Sequence, residues 1–168
     1  DDGVLVALKL SDGATLWSKN LAASEQHFVD IDSRPLVVGD TVYAAVFNVG
    51  LYAIGKEHGN VRWLHRSIGP LGPAVSGETL YISTGTKEIL AVDRETGKLQ
   101  WRLRFGHGTL SAPQLYGSLL WVSTGNAAVS VDAKTGMVRA RLAVEDGQSA
   151  PIASKNGWLH MVTNSGAL

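Results

Sequence analysis

Two landmarks recur along this chain with a period of about forty residues, and no other feature limits its fold so tightly. Four segments open on a proline, at Pro35, Pro73, Pro113 and Pro151, with steps of 38, 40 and 38 residues. A glycine followed four residues later by tryptophan recurs as Gly13 and Trp17, Gly59 and Trp63, and Gly97 and Trp101; the fourth copy has Gly136 but Ala140. A period of 20 to 50 residues marks a repeat architecture in which each unit must bury its apolar face on a neighbour.

Within one unit the pattern reads as four short strands. Pro73 to Ser76 is the first, with its proline where no ladder donor is needed. Thr79 to Ser83 alternates with aromatic and β-branched residues as the second, Ile89 to Asp93 is the third, and Leu99 to Leu103 the fourth. Between the last two stands Asp93-Arg94-Glu95-Thr96-Gly97, repeated as Asp132-Ala133-Lys134-Thr135-Gly136. The aspartate of such a turn accepts from backbone N–H groups, and the glycine supplies the positive φ that closes it. No stretch has a helical period.

A four-stranded antiparallel unit of this length cannot cover both of its faces, but radial stacking makes each unit cover the next, which is the β-propeller solution. The tryptophans then lie as apolar plates between adjacent sheets, with the indole N–H reaching a backbone acceptor. A parallel β-helix is the alternative, but its rungs are shorter than this period. The expected division is a half-blade at 3–19, blades at about 34–66, 72–104 and 112–142, and a half-blade at 150–168. The first half-blade supplies third and fourth strands and the last supplies first and second, so the total is about four blades.

Composition narrows the function classes. Fifteen basic and fifteen acidic side chains give a formal net charge of zero, which removes the general electrostatic attraction to nucleic acid or anionic lipid. No apolar run approaches the roughly 20 residues that cross a bilayer, so no direct membrane span is expected. The absence of cysteine excludes a disulfide framework and thiolate metal sites. The chain opens on Asp1-Asp2-Gly3 without a basic-then-apolar leader, so any signal segment is expected outside it.

Ala91-Val92-Asp93-Arg94-Glu95-Thr96-Gly97-Lys98-Leu99-Gln100-Trp101 resembles the tryptophan-docking motif of pyrroloquinoline-quinone (PQQ) type propellers, with Ala91, Asp93, Gly97 and Trp101 at the motif's fixed steps. Other copies depart from it: Lys9 and Gly55 replace the aspartate, and Ser130 and Ala140 replace the alanine and tryptophan. The resemblance covers essentially the whole chain and implies structural docking by Trp17, Trp63 and Trp101. Within that superfamily, Asp30-Ile31-Asp32-Ser33-Arg34-Pro35-Leu36-Val37-Val38 resembles the Asp-x-Asp-x-x-Pro-x-Val-Val run of the BamB family, the lipoprotein propellers of outer-membrane β-barrel assembly. The likeness implies the C-terminal half of an eight-bladed ring, with a lipid anchor outside the fragment and a place at the periplasmic face of the outer membrane.

On the residues alone, Asp30 and Asp32 are either caps in a solvated loop or a contact for a partner. They lie in the one long inter-blade connection, lack the turn glycine and flank apolar Ile31. The resemblance implies that Asp30, Ile31 and Asp32 bind a BamA-like insertase, and that the chain is a non-enzymatic scaffold with no cofactor. Two other readings stay open. A PQQ-dependent dehydrogenase fragment would need calcium, a catalytic aspartate and often a vicinal disulfide; a generic repeat module would have a different partner. Asp93 and Asp132 read as turn partners, not metal ligands. The five histidines show no ligand spacing, Gly106-His107-Gly108 lacks the strand-to-helix setting of a phosphate loop, and no Gly-x-Ser-x-Gly elbow is present. The complementary half-blades also make a head-to-tail homodimer of the fragment an expectation.

Overall fold

The computed structural model describes residues 3–22, 33–148 and 152–163. The described residues form strands and turns without a helix, in two compact units, Asp1–Pro73 and Ala74–Leu168.

In the first unit, β1 (Val4–Leu8) and β2 (Thr15–Asn20) pair antiparallel as a two-stranded sheet. β3 (Leu36–Val38), β4 (Thr41–Val46), β5 (Gly50–Gly55) and β6 (Val61–Arg66) follow as a four-stranded meander in chain order. Strands β4 and β5 are rich in alanine, valine and aromatics and are covered on both faces, so every residue of β4 is buried. Such strands lose the polar–apolar alternation of a half-solvated sheet. The apolar core here is Leu21, Val42, Ala44, Val46, Val49 and Ile54, with Leu5, Trp17 and Leu64 packed against it.

The second unit holds two more meanders of the same order, apart from Leu71–Pro73 of the first strand, which fall in the first unit. β7 (Leu71–Ser76), β8 (Thr79–Ser83), β9 (Glu88–Asp93) and β10 (Leu99–Arg104) make the first, and β11 (Gln114–Tyr116), β12 (Leu119–Ser123), β13 (Gly125–Asp132) and β14 (Val138–Gln148) the second. A two-stranded sheet of β15 (Ala153–Lys155) and β16 (Trp158–His160) completes it. One core joins both meanders: Tyr81, Ile89 and Ala91 from the first meet Leu120, Val122, Val129 and Val131 from the second. Burying an apolar face between two sheets is what each meander lacks alone, at roughly 25 cal/mol per Å² of apolar surface removed from water. The fold is therefore all-β, built from four-stranded antiparallel sheets of the β-propeller type, about four blades in extent.

Individual strands differ from the expectation at their ends. β7 starts at Leu71, two residues ahead of Pro73, because a first strand at the sheet edge tolerates a proline within it. β14 runs eleven residues, to Gln148, past the expected end near residue 142. No glycine or proline stands between Val138 and Asp146 to stop it, and its far end pairs with Gly125. The second strand of the last half-blade is short, Trp158–His160.

Candidate functional site

Trp63 and Trp101 lie on the fourth strands of their sheets, and Trp17 lies on β2 of the two-stranded sheet. Trp17 donates its indole N–H to the carbonyl of Lys56 at 2.7 Å, and Trp101 donates to the carbonyl of Ala133 at 3.1 Å. Both acceptors belong to the following sheet. Each ring lies flat on that sheet's turn glycine: a Cβ on Gly59 would come within 2.8 Å of the Trp17 ring, and one on Gly136 within 2.8 Å of the Trp101 ring. Gly59 and Gly136 also sit at positive φ, +66° and +74°, so the turn and the close approach both call for glycine there. Trp17, Trp63 and Trp101 are half-buried.

A tyrosine partner was not anticipated from the sequence. Tyr81 faces Ala91 across the ladder, and Ala91 faces Trp101, so a tyrosine, an alanine and a tryptophan form one row. Ala91 is fully buried, and its small side chain leaves the rings 5.9 Å apart at 39°. Tyr43, Ala53 and Trp63 repeat the row with centroids 5.8 Å apart, again at 39°. The signal was available in the sequence, since each tyrosine precedes its tryptophan by twenty residues. In the fourth copy the row reads Trp121, Ser130, Ala140, so the large ring has moved from the fourth strand to the second.

Asp93 Oδ1 accepts from the backbone N–H groups of Glu95 and Thr96 and from the Thr96 hydroxyl, at 3.2, 2.8 and 2.7 Å. These bonds, the Thr96 hydroxyl first, hold its carboxyl below the usual range. Gly97 closes the turn at φ +70°. Asp132 repeats the arrangement with Thr135 and adds Arg139 at 2.8 Å, which lowers its pKa to about 2. Both aspartates are thus engaged by their own turns. Asp30, Ile31 and Asp32 lie outside the described residues, as does His27. The remaining histidines are dispersed, and no group of three or more potential metal ligands occurs among the described residues.

Beside the Trp101 junction lies a half-open cleft of about 300 Å³, lined by Ser76, Thr79, Tyr81, Gln100, Ser118, Ala133 and Lys134. Its polar side-chain groups are hydroxyls, one amide and one ammonium, with no carboxylate, beside the Tyr81 ring and the Ala133 methyl. The Thr79 hydroxyl donates to Gln100 Oε1 at 3.0 Å. These groups offer hydrogen-bond donors, acceptors and one positive charge to a ligand.

A family model described as outer membrane protein assembly factor BamB matches residues 1–71 and 69–164. The chain belongs to the BamB family. No curated protein matches it significantly. Among solved structures, BamB from Moraxella catarrhalis superposes with a TM-score of 0.79 at 20% identity, over 98% of this chain and 54% of that one. The computationally designed Ika8 protein superposes with a TM-score of 0.80 at 13% identity, over 98% of this chain and 51% of the other. Quinohemoprotein alcohol dehydrogenase from Comamonas testosteroni gives 0.60 at 20% identity, over 68% of this chain and 21% of the enzyme. At such identities the superpositions speak for the fold, and the chain spans about half the length of the Moraxella BamB.

Proposed function

We propose that the chain is part of a non-enzymatic scaffold of outer-membrane protein assembly, at the periplasmic face of that membrane, and that it binds the periplasmic domains of a BamA-like insertase. The observation that carries the proposal is the BamB family match across nearly the whole chain. In this reading Trp17, Trp63 and Trp101 hold neighbouring blades together, and Ala91, Asp93 and Gly97 shape the turn and row that position Trp101. The blades then present their connections on a rigid frame, where binding residues commonly sit.

Asp30, Ile31 and Asp32 are the proposed contact. An alternating Asp-Ile-Asp in an extended segment turns both carboxylates to one side and the isoleucine to the other. Carboxylates so placed make charge-assisted bonds to arginine or backbone donors of a partner. The test is the double change Asp30→Ala with Asp32→Ala in the full-length protein. The expected result is an unchanged melting temperature and an affinity for the insertase's periplasmic domains reduced at least about tenfold, the effect of truncating a desolvated interfacial charge. Loss of folding would make the aspartates structural caps, and unchanged affinity would remove the contact.

The partial likeness to a quinohemoprotein dehydrogenase supports a second reading, a fragment of a PQQ-dependent enzyme. Equilibrium titration of the full-length protein with PQQ and calcium separates the two, because only the dehydrogenase reading requires saturable binding.

A further inference from the structure

The first hairpin of each meander places one residue directly after its glycine: Asp40, Glu78 and Ser118. The three are equivalent in the backbone, since their carbonyls accept from Lys56, Arg94 and Ala133 N–H groups at 2.8, 2.8 and 2.9 Å. In the first two meanders the side chain is a carboxylate paired with an arginine, Asp40 with Arg62 at 2.7 Å and Glu78 with Arg94 at 3.0 Å. The third meander breaks the pattern. Ser118 brings no charge, and Arg139 turns instead to Asp132 at 2.8 Å.

Ser118 forms part of the wall of the 300 Å³ cleft, beside Lys134 and Gln100. Lys134 makes no ion pair among the described residues; its counterpart in the preceding Trp17 junction is acidic, Glu57. Gln100 Oε1 is occupied by the Thr79 hydroxyl, and the amide's N–H groups make no hydrogen bond among the described residues. The neighbouring carboxylates are committed elsewhere: Asp132 to Arg139 and Thr135, and Glu78 to Arg94 through both oxygens. The cleft's one formal charge is therefore positive, and no carboxylate lines it.

We propose that this cleft binds a carboxylate group of another molecule, held by the Lys134 ammonium, the Gln100 amide and the Ser118 hydroxyl, in the place where the other meanders supply their own carboxylate. A cavity of this size is at the small end for ligand sites, enough for an acidic side chain or a sugar acid. Both sources offer the same chemistry to the same donors. The single exposed cation and open mouth imply weak binding, in the millimolar range.

The experiment is a ¹H–¹⁵N correlation titration of the whole chain with two probes, N-acetyl-glutamate N-methylamide and glucuronate, against N-acetyl-glutamine N-methylamide and glucose. The expected result is saturable shifts at the Gln100, Ser118 and Lys134 amides with the carboxylates and none with the neutral controls. Tighter binding of the blocked glutamate assigns the cleft to an acidic side chain of a partner polypeptide, and tighter binding of glucuronate assigns it to a sugar acid. Lys134→Gln should weaken saturation at least about fivefold. Ser118→Asp restores the acidic side chain of the other meanders and should abolish it, with the dispersed spectrum reporting an intact fold. Absence of saturable shifts, equal shifts with the neutral probes, or undiminished binding in both variants overturns the proposal.

Discussion

Trp101→Ala is the sharpest test of the junction between neighbouring sheets. A large aromatic side chain buries of order 150–250 Å² when fully covered. With the ring half-buried, about 120 Å² returns to water, worth about 3 kcal/mol at ~25 cal/mol per Å². The indole bond to the Ala133 carbonyl adds about 1 kcal/mol, and the tilted contact with Tyr81 at 5.9 Å about 0.5 to 1 kcal/mol. The expected cost is therefore about 4.5 to 5 kcal/mol, within the usual span for tryptophan truncation. Urea titration followed by far-ultraviolet circular dichroism measures it without relying on the fluorescence of the residue removed.

The companion change is Gly136→Ala, which meets strain at φ +74° and sets a methyl 2.8 Å from the Trp101 ring. Only the second of these disappears when the indole is gone. The two substitutions should therefore be non-additive in a double-mutant cycle, with a coupling of about 1 kcal/mol or more. An unchanged midpoint for Trp101→Ala, or additivity within about 0.3 kcal/mol, would refute the argument that the ring and the glycine form one contact.

Trp158 is 72% exposed, so Trp158→Ala should shift the urea midpoint by less than the equivalent of about 1 kcal/mol; a loss comparable to that of Trp101→Ala would contradict its placement. Gly108→Ala should cost at least about 2 kcal/mol, because a Cβ there meets the Thr124 carbonyl oxygen at φ +83°, whereas Gly106→Ala, with open space around it, should be near neutral; equal thermal shifts for the two would count against the loop geometry. The Asp132 carboxyl is lowered from 3.8 to about 2, first by Arg139 and then by Thr135, so its contribution to stability is complete above about pH 4 and is lost as pH falls toward 2. Asp132→Asn should flatten the decline of the denaturation midpoint across that window, and an unaltered slope would rule the pair out as its source.

The sequence was legible wherever chemistry recurs at a fixed step. Strands β8 and β9 lie within a residue of their expected limits because alternating aromatic and β-branched residues end at a glycine turn or an Asp–Gly turn. The far end of β14 was not legible, because its length depends on a partner at Gly125 supplied from elsewhere in the chain. The Tyr81–Ala91–Trp101 row escaped for a related reason: it runs across three strands, and a reading along the chain compares residues within one. The cleft was hidden more deeply. It depends on Ser118 differing from Asp40 and Glu78, and on Lys134 and Gln100 meeting across two sheets. Asp30 and Asp32 were singled out by loop length and by resemblance, and they lie outside the described residues.

The glycine–tryptophan spacing that reveals the repeat joins residues that do not touch as a pair. Gly97 and Trp101 share one copy, but the indole of Trp101 rests on Gly136, and that of Trp17 on Gly59. The mechanical joint is thus staggered by one copy from the written motif, so a grafted blade would arrive with the glycine half of one joint and the tryptophan half of another. Copies that hold both halves are equipped for a joint on either side. The copy with Gly136 and Ala140 is not: it accepts an indole from the sheet before it and offers none to whatever follows. Within this motif the array therefore has a polarity, with an indole–glycine joint on one side of that copy and none on the other.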